Sequence, residues 1–105
     1  MPMIDEKFVE VAGTRTRYFE KGKGEPMVLV HGADFGALSA DCANDWELNF
    51  DGLAESFHVF AFDKLGQGYS DNPKSDDEYT MAAQVEHAYR FIEKLGIEGA
   101  HLLGH

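Results

Sequence analysis

Three short apolar runs stand out along the chain: Met27-Val28-Leu29-Val30, Phe57-His58-Val59-Phe60-Ala61-Phe62 and Ala100-His101-Leu102-Leu103. Polar residues scarcely interrupt them, so neither side of each run is set aside for water. That pattern belongs to strands covered on both faces, as in a parallel sheet. Longer segments separate the runs, and parallel neighbours need such crossovers, usually helical ones. Ahead of them lie two β-prone runs, Lys7–Val11 and Thr14–Glu20, joined by Ala12-Gly13. So tight a connection predicts an antiparallel hairpin. Alternation is imperfect in both runs, which fits an edge ribbon better than a central strand. Gly22-Lys23-Gly24-Glu25-Pro26 then reads as a turn between strands.

The second crossover has a helical period. Met81, Val85, Ala88, Ile92 and Leu95 fall on one face. Ser75 with Glu78, or Thr80 alone, caps its start, and Gly96 supplies the stop. The first crossover, Asp45–Phe57, carries Trp46, Leu48, Phe50, Leu53, Ala54 and Phe57, but Gly52 weakens a helix there. The expected order is β-β-β-α-β-α-β, an α/β fold in a single domain over residues 1–105.

Composition narrows the partners. Eight Phe and four Tyr are groups worth burying, which argues against disorder. Nineteen acidic against nine basic residues give a net charge of -10, and such a polyanion is repelled by phosphate backbones and anionic lipid surfaces. Nucleic acid and membrane are therefore not expected as partners. A single cysteine, Cys42, excludes an internal disulfide and a cysteine-rich zinc site. Met1–Glu6 has neither a basic start nor an apolar run, and no stretch approaches the ~20 apolar residues of a membrane span. A cytoplasmic setting is the expectation.

Ligands of open parallel sheets bind beyond the carboxyl ends of the strands. Three segments occupy such ends: His31–Ala37, Asp63–Asp71 and Gly104-His105. Gly32 directly follows a buried strand, where a glycine lets a backbone N–H approach a ligand and stabilise a developing oxyanion. The plainer reading of His31-Gly32 is a loop entry. Gly66-Gln67-Gly68 lacks the third glycine of a dinucleotide fingerprint and the Gly-Lys-Ser/Thr of a phosphate loop. It reads as a structured turn, with Asp63 accepting from backbone amides. None of His31, His58, His87, His101 and His105 forms a close helical pair around a carboxylate, so no metal is expected. His58 and His101 lie within strands and are expected to be packed or bonded locally. Cys42 has no activating pattern around it. Ser75-Asp76-Asp77-Glu78 reads as a solvated helix start.

In order, then, the chain carries a strand ending in His31-Gly32, a strand ending in Asp63 before Lys64-Leu65-Gly66-Gln67-Gly68-Tyr69-Ser70, a Tyr79-Thr80 helix start, a Leu95-Gly96 stop, and Leu102-Leu103-Gly104-His105. From Phe8 to His105 this resembles the N-terminal part of an α/β-hydrolase. The resemblance implies the N-terminal half of that sheet, incomplete alone. It places Gly104 and His105 at the first two positions of the G-x-S-x-G nucleophile elbow, so His105 precedes the nucleophile. The triad acid and histidine follow later in this family, so these 105 residues are expected to be inactive by themselves. One arm of the oxyanion hole maps onto the backbone N–H of Ala33, with Asp34 adjacent. A serine activated by histidine would attack a carbonyl held there, or histidine would activate a water.

Gly36-Ala37 and Ala43-Asn44-Asp45-Trp46 resemble the meta-cleavage product hydrolases, which cut a C–C bond in vinylogous diketones from aromatic catabolism. Asp34-Phe35 stands where those enzymes have a small residue and proline, and Asp45 separates Asn44 from the aromatic. On this resemblance Gly32 and Asn44 are substrate-binding residues. Asn44 reads equally as the N-cap before Asp45-Trp46. Epoxide hydrolases and haloalkane dehalogenases are similar from Asp63 to Ser70. They use an aspartate nucleophile and commonly have proline soon after His-Gly, which Ala33-Asp34 lacks. Simple esterases and lactonases share the same frame. The implied partners are a small carbonyl substrate and the remainder of a hydrolase chain, with no cofactor; a homo-oligomer is compatible. The alternative is a short, non-catalytic binding module whose partner covers the apolar edge of the last strand.

Overall fold

The computed structural model describes residues 3–33 and 41–105. Strands β1 (Lys7–Val11), β2 (Thr14–Lys21), β3 (Glu25–Val30), β4 (Phe57–Phe62) and β5 (His101–Gly104) form one sheet in the order β1-β2-β4-β3-β5. β2 pairs antiparallel with both β1 and β4, whereas β3 runs parallel to β4 and to β5. The expected hairpin and parallel strands are therefore present, but β5, expected to be covered on both faces, is exposed along its length because it stands at the edge of this sheet.

Two local expectations are corrected. Glu25 and Pro26 open β3 instead of ending a turn. β5 joins β3 only from Met27 onward, so the N–H that Pro26 lacks falls before that ladder begins. The hairpin is also more than an edge ribbon. Thr16, Arg17, Tyr18 and Phe19 are all buried in β2, and their alternation is imperfect because both faces of the strand are covered. The turn between β2 and β3 depends on Gly22. A Cβ there would lie 2.2 Å from the Phe57 carbonyl oxygen.

A layer of apolar side chains lies on each side of the sheet. Tyr18, Val28, Phe60 and Phe62 pack with Phe91 of helix α2 (Met81–Lys94). Phe19, Leu29, Val59 and Ala61 pack with Phe50 of helix α1 (Phe50–Ala54). A 3-10 turn over Ala43–Trp46 precedes α1, and Leu48 between them is exposed rather than packed. Thr80 caps α2, its Oγ1 accepting from the Ala83 N–H at 3.1 Å, while Ser75 makes no capping bond.

The buried face of α2 differs from its apolar periodicity. Gln84, His87 and Phe91 are buried, with Ala88, Ile92 and Leu95 beside them, whereas Met81 and Val85 are each 61% exposed. Two polar residues on that face are hydrogen-bonded inside, so an apolar template overlooks them. Among the described residues no helix is long and apolar enough to cross a membrane.

The sheet order also sets where a ligand could sit. The chain leaves β3 for β4 on one side and then returns past β3 to β5 on the other. Crossovers diverge in this way at a topological switch point, where a crevice opens at the carboxyl ends of the strands.

Candidate functional site

At that switch point the ends of β3 and β5 lie side by side. Val30 is opposite Gly104, and the His105 N–H donates to the Val30 carbonyl at 3.2 Å. Gly32 passes so close that a Cβ would lie 2.9 Å from His105 Nδ1 and 3.1 Å from the His105 carbonyl oxygen. A cleft of about 560 Å³ opens here, lined by His31, Gly32, Trp46, Leu103, Gly104 and His105, with Asp41, Asp45 and Asn49 beside them.

The turn after β3 is pinned from two sides. His31 is 1% exposed; its Nδ1 lies 2.9 Å from the Gly32 carbonyl, and its Nε2 lies 3.0 Å from the Lys64 N–H. The amide can only donate, so Nε2 accepts and Nδ1 carries the proton given to Gly32. A neutral ring suits these partners. Burial lowers the His31 pKa, the Gly32 carbonyl opposes that shift, and the nearby Lys64 charge adds to it. Ala33 then adopts φ +68°. A left-handed alanine costs about 1–2 kcal/mol, so the conformation must be held by its surroundings. Lys64 Nζ donates to the Ala33 carbonyl at 2.7 Å. Neither anchor uses the Ala33 amide.

A second cluster supports the far wall. Asp63, fully buried at the end of β4, accepts from the Ala43 N–H at 2.7 Å, the Tyr69 N–H at 2.8 Å and Arg17 Nε at 2.8 Å. The expected role of Asp63 as an acceptor for turn amides is thus present, and it extends to the first residue of the 3-10 turn. Ser70 Oγ donates to the Asp63 carbonyl and accepts from the Arg17 N–H. Burial works against the Arg17 charge, but the hydrogen bond and charge of Asp63 outweigh it, and the arginine pKa is raised. The Arg17 guanidinium also stacks over Tyr69, 4.6 Å from the ring centroid.

Asn44 belongs to this cluster. Its Oδ1 accepts from Arg17 Nη2 at 2.5 Å, and its neighbours Asp45 and Trp46 line the cleft. It is not an N-cap, because the 3-10 turn begins one residue earlier with Cys42 at the cap position and no side-chain capping bond. Cys42 is a free, half-buried thiol near the Asn44 oxygen.

The remaining histidines stand apart from the cleft. His58 pairs with Glu20 at 2.7 Å, and His101 lies 3.5 Å from Glu25. His87 joins three elements. Its Nδ1 accepts from the Leu65 N–H at 3.1 Å, so Nε2 carries the proton facing Thr16 Oγ1 at 2.9 Å. Burial lowers its pKa to about 4. Asp34 and Gly36-Ala37 lie outside the described residues. No group of metal-ligating side chains is present among the described residues. Sequence reasoning assigned no structural role to Arg17, Lys64 or His87. Arg17 shares its strand-like run with a second cation, the exposed Arg15, so charge alone did not mark it.

A family model described as the alpha/beta hydrolase fold matches residues 25–105. The 2-hydroxy-6-oxo-6-(2'-aminophenyl)hexa-2,4-dienoic acid hydrolase of Metapseudomonas resinovorans is 37% identical over 94 residues, covering 90% of this chain and 31% of that protein. The 2-hydroxymuconate semialdehyde hydrolase of Pseudomonas sp. (strain CF600) is 39% identical over 103 residues, covering 98% of this chain and 35% of that protein. Among solved structures, an epoxide hydrolase from Vigna radiata superposes with a TM-score of 0.81 at 27% identity, over 98% of this chain and 32% of that one. The chain spans about a third of the length of these relatives. The family match runs from the start of β3 through the end of β5, the stretch that builds the cleft and its pinned turn, and this chain belongs to the α/β-hydrolase family.

Proposed function

We propose that this chain forms the N-terminal part of a hydrolase that cleaves a C–C or ester bond next to a carbonyl in a small organic substrate. The observation that carries the reading is the turn at His31-Gly32-Ala33, held beside the end of β5 on the cleft. In a trans peptide the C=O and N–H lie on opposite sides. With the Gly32 carbonyl turned onto His31, the Ala33 N–H faces away from that ring. There it serves as one donor to the oxyanion of a tetrahedral intermediate.

The other parts follow from the family resemblance. A serine after Gly104-His105 attacks the carbonyl, and a histidine and an acid further along the polypeptide activate it. The identity with two dienoate and semialdehyde hydrolases supports C–C cleavage over simple ester hydrolysis. The similarity to an epoxide hydrolase supports a second reading, in which an aspartate takes the nucleophile position and opens an epoxide.

The complete gene product should be offered a vinylogous diketone, a 4-nitrophenyl ester and a styrene-type epoxide. A fluorophosphonate label followed by intact mass then reports the nucleophile. Dienone turnover with a covalent phosphonyl adduct is expected. Epoxide opening without an adduct would replace this reading with the second one.

A further inference from the structure

We propose that Lys64 is a positioning residue for the oxyanion-binding turn, working with His31 to aim the Ala33 amide; this inference rests on the function proposed above. Lys64 grips the turn twice. Its backbone N–H holds His31 Nε2 at 3.0 Å, and its ammonium holds the Ala33 carbonyl at 2.7 Å. His31 in turn holds the Gly32 carbonyl at 2.9 Å. The Ala33 N–H lies between those two fixed carbonyls, so neither flanking peptide plane can rotate without breaking a bond.

The need for such a grip comes from residue 33 itself. Ala33 sits at φ +68°, a region that alanine leaves when released, as glycine would not. Relaxation to negative φ rotates the peptide that carries the donor. An ammonium-to-carbonyl bond belongs to the stronger, charge-assisted class, and it opposes that relaxation. The same contact ties the end of β4 to the turn after β3, so the sheet register determines where the donor points.

The experiment compares Lys64→Met and Lys64→Arg in the complete gene product. Methionine keeps the backbone N–H and most of the apolar stem and removes only the ammonium. Loss of one whole oxyanion donor costs roughly a hundredfold or more in kcat, and a misaimed donor costs a part of that. The expected result for Lys64→Met is a kcat about tenfold lower, with KM within about twofold and an unchanged thermal midpoint. Affinity for a boronic acid that forms a tetrahedral adduct should fall with kcat, while product affinity stays level. Arginine should restore kcat to within about threefold of the parent, because it replaces the charged donor.

A Lys64→Met protein that keeps the parent kcat overturns the positioning role. So does a kcat loss that arginine fails to rescue, or one accompanied by a drop in thermal midpoint, since either marks a merely structural contact. If the unmodified protein turns over neither dienone nor ester, the proposed activity itself falls, and the positioning role falls with it.

Discussion

Asp63 shows how one side chain can organise a region far larger than itself. Its carboxylate takes bonds from β2, from the turn after β4 and from the start of the 3-10 turn. Crowding around it imposes a demand on Gly68. A Cβ there would lie 2.3 Å from Asp63 Oδ2, and the residue sits at φ +56°. Gly68→Ala must therefore both strain the backbone and displace a buried, bonded carboxylate. We expect it to lower stability by more than about 2 kcal/mol, read as a shifted urea midpoint; a change within about 0.5 kcal/mol would show that the turn yields easily. The sequence already pointed to Asp63 as an acceptor for turn amides, because a short carboxylate before a glycine-rich turn has few better options. It did not reveal Arg17 as the counter-charge, since 46 residues separate the two and only strand pairing joins them.

Helix α2 is where periodicity and structure part company. Its limits were legible: Thr80 caps it, and Gly96, at φ +68°, ends it. Its inner face was not, because His87 and Gln84 take buried positions that an apolar pattern assigns elsewhere. His87 holds α2 to Thr16 of β2 and to the Leu65 amide, and it does so as a neutral ring. Burial lowers its pKa from 6.5 to about 4. Between those values the unfolded chain binds a proton that the folded chain refuses. Stability is thus fully present above pH 6.5 and is lost as pH falls toward 4. At 1.36 kcal/mol per pKa unit the loss from this one group is about 3 kcal/mol, and His31, lowered in the same direction, adds to it. Denaturation midpoints at pH 7 and pH 4.5 should differ, and His87→Gln should flatten the difference. An equal slope in the variant would remove His87 as its source.

At the scale of the molecule, exposed apolar side chains gather at β5 and the outer side of α2 among the described residues. Leu102 and Leu103 are 66% and 41% exposed, and Met81, Val85 and Tyr89 are exposed as well. Among the described residues β5 pairs only with β3, so one row of its backbone groups faces outward. An apolar strand edge of this kind recruits other chains. The 105-residue polypeptide by itself is expected to self-associate, and Leu102→Lys to reduce that association, both measured by sedimentation velocity; a monodisperse monomer at tens of micromolar would contradict this. The local pattern alone determined the hairpin, the parallel strands, the stop of α2 and the α/β class, and it narrowed the start of α2 to Ser75 or Thr80, because each depends on residues a few positions apart. The order of motifs along the chain was enough to indicate the family. Tertiary structure decided the strand order, the buried face of α2, the hold of Lys64 on His31 and the approach of Gly32 to His105 at the cleft. Those contacts join residues that only the crossovers bring together, and a crossover's direction is settled by how the two faces of the sheet are covered, which no local period encodes.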